Sequence, residues 1–475
     1  MPAVPVVSNR RRSGVRRMRC SGVWDILETP DNEPATQPMN PMRSGYCRYV
    51  LVVLLAGYTL NAFDRSILSL VLEPIRREFG ASDTQLGLLS GLAFAVFYST
   101  LAIPIAVLAD RWSRRNVLML SILLWTVMTA MCGLAGSFAA LLLARIGVGI
   151  GEAGCNPASH SLIAGYFPAQ RRATALAIYA LGAPAGAMLA GLVGGWGSEH
   201  LGWRGTMLLA GAPGLLLVPL LFFTVAEPRH QQPAKAQAVG APSLRTVLAY
   251  LWSRHSFRHL CLACALHSVA MYASSSFNPA YLARSHGWSG GQTGQLIAML
   301  GVTGLAGTFL GGYLTDRLGA RSGEQRWQLW VPGIAALAVI PVQFLCYLGS
   351  GSMMAAAFML SSLLSFVFFG PSFATVQALA APRMRAVAAA VLLFSKAMIG
   401  MGAGPLLVGI ASDALAPVAN EHSLRFGLLL VPLFNVWAAV HFFWAARHLR
   451  ADLALDVQPP TGVHSSTSVP SGQRT

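Results

Sequence analysis

Charge is scarce in this chain: Asp, Glu, Lys and Arg make up 11% of 475 residues, where a soluble domain carries about a quarter. Lysine is nearly absent, with only Lys235 and Lys396. Together with 54% hydrophobic residues, this excludes an ordinary soluble domain and leaves a polytopic membrane protein. The net charge of +16 raises the question of nucleic acid, but most of the basic residues outside the tails fall in one set of loops, so no nucleic-acid partner is expected. The seven cysteines make no disulfide framework. Cys132, Cys155, Cys261, Cys264 and Cys346 sit in apolar runs, and the C-x-x-C at Cys261 has no second pair to make a metal site. Metal-ligand, nucleophile–base and phosphate-cradling patterns are lacking as well, so neither a metal, a cofactor nor an enzymatic activity is expected. A cleavable signal peptide is not evident either.

What is present is a series of long apolar runs. Divided into twelve spans with the N-terminus inside, the chain puts fifteen basic residues in inner loops, among them Arg171, Arg172 and Arg258, and five in outer ones: Arg76, Arg77, Arg204, Arg284 and Arg425. That asymmetry predicts a multi-pass protein of the inner (plasma) membrane with both termini cytoplasmic. The expected organisation is a disordered basic tail (1–45), six helices (46–226), a cytoplasmic linker (227–257), six more helices (258–449) and a disordered tail (450–475). Met39 and Met42 are alternative starts within the first tail.

The run from Phe138 to Phe167 contains R-I-G-V-G-I-G-E, Arg145 to Glu152. Seven positions are two helical turns, so Arg145 and Glu152 share a face. A charge at bilayer depth costs several kcal/mol without a partner, so that face must point into the bundle. The first span offers the matching charges, Asp64 and Arg65, with Asn61 one turn earlier. Counting rises from the outer ends places Asp64 level with Arg145 and Glu152 about 10 Å deeper. Gly147, Gly149 and Gly151 let a neighbouring helix come close. Asp64, Glu152, Arg65 and Arg145 are therefore the candidate proton-coupling groups, with a permanent structural ion pair as the alternative. Span 5 carries a four-residue small-residue seam, Gly182, Gly186, Ala190 and Gly194, and span 11 another, Gly400, Gly404-Pro405 and Gly409.

Two loops repeat each other. A-V-L-A-D-R-W-S-R-R (Ala106–Arg115) and G-Y-L-T-D-R-L-G-A-R (Gly312–Arg321) place Asp110 and Asp316 206 residues apart, about half of the membrane region, which predicts an internal duplication. Both resemble the loop signature G-x-x-x-D-R-x-G-R-R of the major facilitator superfamily. Asn61, Asp64 and Arg65 with Arg145 to Glu152 are further similar to the spinster group of that superfamily, whose signatures are N-x-x-D-R and R-x-x-x-G-x-G-E. In this chain the glycines are offset by the extra Gly147.

The resemblance implies an all-α polytopic fold of twelve transmembrane helices in two six-helix halves. It implies a secondary transporter working by alternating access, with proton-coupled or facilitative export of lysolipid-type solutes. Gating falls to Asp110, Arg111, Arg114, Arg115, Asp316, Arg317 and Arg321. Asn61, Tyr272, Asn278 and Lys396 are the candidate substrate contacts. Lys396 is too deep for its stem to reach either interface, so it faces either an anionic solute or a local hydrogen-bond network. His267 reads as an interior histidine, with a proton relay as the alternative. Expected partners are a small amphipathic substrate, protons and membrane lipid, for a monomeric protein. A multidrug-type antiporter or an organic-anion importer on the same fold is the nearest rival. A lipid-acting membrane enzyme or a non-transporting sensor is the rival from another class.

Overall fold

The computed structural model describes residues 41–228, 243–381 and 384–455, and within these the side chains of residues 41–44, Asp110, Ala169 and Ala173 are not described. The first tail up to residue 40 and most of the second thus lie outside the described residues, as does the middle of the linker. Helix α1 already begins at Pro41 and the last helix continues to Ala454, so each reaches a few residues beyond the expected ends of the membrane region.

Ten runs are long and apolar enough to cross a bilayer once: α1, Gly45–Phe79; α2, Asp83–Ala109; α3, Arg114–Leu134; α4, Phe138–Tyr166; α5, Gln170–His200; α6, Gly202–Thr224; α7, His255–His286; α8, Gly290–Ser322; α9, Trp327–Leu348; α10, Gly351–Leu379. The eleventh run, Arg385–Ala454, is 70 residues long. A single crossing needs about 20. Asn420, with φ of +48°, turns the chain there, and the run resolves into α11 (385–419) and α12 (423–454). The protein is all-α with twelve membrane helices.

Local sequence explains the boundaries. Ser113 and Ser137 open α3 and α4 by accepting the backbone N–H three residues on. Ser82 with Gln85 and Ser289 with Gln292 form reciprocal capping boxes at the starts of α2 and α8. These two boxes are 207 positions apart, within one residue of the spacing of the duplicated motifs. At the other ends, Gly287 and Gly323 take φ of +64° and +65° to close α7 and α8, a conformation open to glycine at little cost.

Packing repeats with a period of six helices. In the first half α3 lies on α6, α1 on α5 and α2 on α4; in the second, α9 lies on α12, α7 on α11 and α8 on α10. The halves meet through α2 on α11, α5 on α8 and α1 on α7, the first two being equivalent under the same shift. The linker is not wholly irregular. Leu244–Ser253 forms a helix that buries Val247 and Leu251 against the second half and leaves Leu244, Leu248 and Trp252 exposed.

The halves are tied together at the end of the bundle where α1 finishes. Glycines bring the helices to backbone contact: a Cβ on Gly191 or Gly294 would lie 2.5 or 2.1 Å from the other's carbonyl oxygen, and one on Gly409 would lie 2.2 Å from the Asp83 carbonyl. Charges reinforce the contact. Arg284, at the end of α7, donates to both Asp83 carboxylate oxygens at 2.8 and 2.9 Å and to Glu73 of α1. Asp413 of α11 accepts from the backbone N–H of Asp83 and Thr84 at 3.0 and 2.8 Å, capping α2 from the opposite half. Arg284, expected in a loop, is instead helical and largely buried between carboxylates.

Candidate functional site

Helices α1 and α4 present their charges to one another, and the pairs cross. Arg145 Nη1 donates to Asp64 Oδ1 at 3.0 Å, and Thr129 of α3 donates its hydroxyl to Asp64 Oδ2. Arg65, one residue on, is turned about 100° around α1 and sends its long stem to Glu152, with Nε 2.8 Å from Oε2. That contact has ion-pair distance without hydrogen-bond alignment, and among the described residues Glu152 Oε1 has no hydrogen-bond partner. Asn61 accepts from Arg65 Nη2, so it steers the guanidinium. Asp64, Arg145, Glu152 and Asn61 are buried, while Arg65 keeps 23% of its side chain exposed.

Phe94 of α2 meets both guanidiniums, with Arg145 4.9 Å and Arg65 5.6 Å from its ring centroid. Tyr98, one turn on, takes Arg65 at 4.9 Å. A desolvated cation over an aromatic face gains about 2 kcal/mol, which offsets part of the cost of two like charges close together. From Tyr98 a polar chain runs to Asn156 of α4 at 3.4 Å and on to Tyr179 of α5 at 2.9 Å, and Tyr179 stacks on Tyr58 of α1.

The glycines of α4 permit this crowding. A Cβ on Gly149 would meet the Phe94 carbonyl at 2.9 Å, one on Gly151 the Trp125 backbone N at 2.5 Å, and one on Gly147 the Met128 side chain at 2.6 Å. Directly after Glu152 the helix breaks at Ala153-Gly154, where Gly154 leaves room for Ser121. Three other helices carry π-helical turns: α2 at Leu88–Leu92, α5 at Ala190–Gly194 and α11 at Lys396–Ala403. Such turns loosen the regular ladder and recur at functional sites.

In the second half, Lys396 is buried and its ammonium lies 4.1, 4.7 and 6.0 Å from the ring centroids of Phe369, Phe368 and Phe373. Among the described residues it has no ion pair or hydrogen bond, so the local network expected as one alternative is replaced by aromatic rings. Tyr272 of α7 is an electrostatic neighbour of Arg65 and Tyr98 across the interface between the halves. Asn278 is committed within its own half, accepting from Tyr347 at 3.1 Å.

The duplicated loops are unequal. The Asp110 side chain lies outside the described residues, and Arg111 is exposed. Arg115 reaches the Val225 carbonyl at 3.3 Å. Glu227, just past α6, accepts from Ser113 Oγ at 2.7 Å and from the Arg115 N–H at 2.9 Å, binding the start of α3 to the end of the half. The Arg114 guanidinium lies near Gly165. The second segment, expected as a loop, lies wholly within α8; Asp316 and Arg321 are exposed there, and Arg317 turns back on Tyr313 of the same helix. The acidic centre there is Glu324, which Arg326 and Arg450 clamp; their hydrogen bonds hold its carboxyl down at about 2. Sequence reasoning missed Thr129 and Glu227 because their partners are remote in sequence, and Glu324 because only Arg326 of its two clamps is near it.

Comparison with known proteins places this geometry. Residues 54–446 match the family model described as Major Facilitator Superfamily. The chain belongs to the major facilitator superfamily. Within it the chain is spinster-like. A bacterial homolog of the human lysosomal transporter Spinster, solved inward-facing and unoccupied, superposes with a TM-score of 0.77 at 30% identity, covering 87% of this chain and 99% of that one. An MFS-type efflux pump of Mycolicibacterium smegmatis is 34% identical over 85% of this chain and 93% of its own length. A probable L-galactonate transporter of Escherichia coli is 25% identical over 84% of this chain and 88% of its own. This major facilitator protein is thus a multi-pass membrane protein and a secondary transporter of a small molecule.

Proposed function

We propose that the protein exports an amphipathic organic solute in exchange for protons, with the crossed pairs Asp64–Arg145 and Arg65–Glu152 as the coupling site. The observation that carries the reading is Glu152: a fully buried carboxylate with one oxygen unpartnered, touching an arginine that is itself partly open. Burial favours the neutral carboxyl and Arg65 the ionised one. A solute drawing Arg65 away, or a rocking step separating α1 from α4, changes that balance, and the proton follows. The Asp64–Arg145 pair, with Thr129 on the second oxygen, is better satisfied and anchors the two helices.

Alternating access needs one end of the bundle to close while the other opens. The tied end, with Arg284, Asp83, Glu73 and Asp413, is in this reading the outer gate, and the loops of Asp110 and Asp316 with their arginines form the inner one. The likeness to an inward-facing spinster homolog supports that assignment, as does the excess of basic residues in the inner loops. Arg65, Asn61 and Tyr272 border the solute path at its centre.

A second reading is favoured by Lys396. An ammonium buried among three phenylalanines and lacking a counter-charge suits a solute bearing a carboxylate or phosphate. The sugar-acid transporter among the relatives is consistent with organic-anion transport on this fold. The two readings are separated by flux into proteoliposomes of a panel of lysolipids, cationic drugs and organic acids, with and without an imposed pH gradient. Accumulation of lysolipids or drugs only with the gradient supports proton-driven export. Gradient-independent uptake of organic acids alone would replace it.

A further inference from the structure

His267 lies on α7 within the second half, fully packed, and both of its ring nitrogens face oxygens. Nδ1 is 2.8 Å from Oδ1 of Asn435 on α12, and Nε2 is 2.8 Å from the Ser365 carbonyl of α10. A neutral imidazole has one N–H and one lone pair, so it satisfies only one of these acceptors. Asn435 can turn only together with Gln343, because its Nδ2 donates to Gln343 Oε1 of α9 at 2.8 Å. The arrangement therefore suits an imidazolium, with two N–H donors meeting two oxygens.

The groups around the ring oppose one another. The ring meets Ser365 and Phe368 of α10 and Asn435 of α12, Gln343 of α9 stands behind Asn435, and Lys396 of α11 is its charged neighbour. Phe368 stands between the two basic groups, its centroid 4.7 Å from the His267 ring and 4.7 Å from the Lys396 ammonium. No carboxylate is bonded to His267 among the described residues. Burial and Lys396 disfavour a second cation, whereas two oxygen acceptors favour it.

We propose that His267 is a second proton-binding site, in the half opposite Glu152, and that the Asn435 and Gln343 amides register its state. With the proton bound the amides stand as described. When the helices part enough to admit water and Nδ1 gives its proton to it, both amides turn over: Asn435 Nδ2 donates to the bare Nδ1, and Asn435 Oδ1 accepts from Gln343 Nε2. The chain of bonds links α7, α12 and α9, so one proton reorganises contacts across three helices. Nothing in this proposal depends on Glu152 or on the transported solute.

The test is solid-state NMR of the full chain, labelled with 15N-histidine and reconstituted in phosphatidylcholine liposomes, from pH 5 to 8. The signals lost in His267→Gln are those of His267. They are expected as imidazolium nitrogens at the acid end, converting to neutral imidazole as pH rises. Signals that remain neutral throughout, or charged throughout, overturn the proposal. Asn435→Asp adds a charge beside Nδ1 and should move the midpoint up by about 1–3 pH units; Asn435→Leu should move it down. If His267→Gln fails to fold, the signal that moves between these two variants identifies His267, and a midpoint that moves in neither overturns the role of Asn435.

Discussion

Arg65 Nε and Glu152 Oε2 are 2.8 Å apart, yet the two side chains differ in surroundings: Glu152 is fully buried and Arg65 is 23% exposed. The arginine is the member of the pair that a solute can reach. Glu152→Gln keeps size and polarity while fixing the uncharged state. It should abolish solute accumulation driven by a pH step in proteoliposomes and leave equilibrium solute binding within about threefold, a difference under 1 kcal/mol. Wild-type accumulation by the mutant would move coupling to Asp64 or to a mechanism without protons.

Arg145 is expected to matter for folding as well as for transport. Arg145→Ala strands Asp64 with Thr129 as its remaining partner, and removing one member of a buried pair costs about 3–5 kcal/mol. The thermal unfolding midpoint of the purified protein should fall accordingly. Adding Asp64→Asn to Arg145→Ala should recover part of the loss; a double variant less stable than the single one would show that the pair is not what holds α1 to α4.

Arg284→Ala removes the buried cation shared by Asp83 and Glu73, leaving the more exposed Arg76 and Arg77 as their ion-pair partners at the tied end. That end should open more often, lengthening spin-label distances between α1 and α7 at their Phe79 and His286 ends. Unchanged distance distributions would count against a gate at this end.

Two glycines of similar crowding should behave differently. A Cβ at Gly294 meets Gly191 of the other half at 2.1 Å, and one at Gly186 meets Thr59 of its own half at 2.3 Å. Gly294→Ala should therefore shift the population away from the tied form, measured by the same spin-label distances on α5 and α8. Gly186→Ala should lower the unfolding midpoint without that shift.

Lys396→Ala should weaken binding of a carboxylate- or phosphate-bearing solute about tenfold or more while sparing a cationic drug, since a charge-assisted hydrogen bond contributes about 1.5–3 kcal/mol. Isothermal titration of both solute classes checks it. Equal affinities in wild type and mutant would assign the lysine to packing against Phe368 and Phe369.

Much of the architecture was legible in the chain itself. Apolar runs of crossing length, basic residues confined to alternate loops and two aspartates half a membrane region apart determine twelve helices in a repeated pair of halves, because a bilayer leaves the backbone few other solutions. The cost of charge in hydrocarbon likewise determined that Asp64, Arg65, Arg145 and Glu152 must meet. What the linear order left open was decided by three-dimensional packing: that the pairs cross, that both arginines meet Phe94, that Lys396 faces phenylalanine rings, and that Asp83, Arg284 and Asp413 tie the halves. Partners more than 200 positions apart, such as Arg284 and Asp83 or Asp413 and Thr84, leave no periodic signal. Only the angle and depth at which two helices pass bring such side chains within 3 Å, and that angle is set by which glycines lie in the contact.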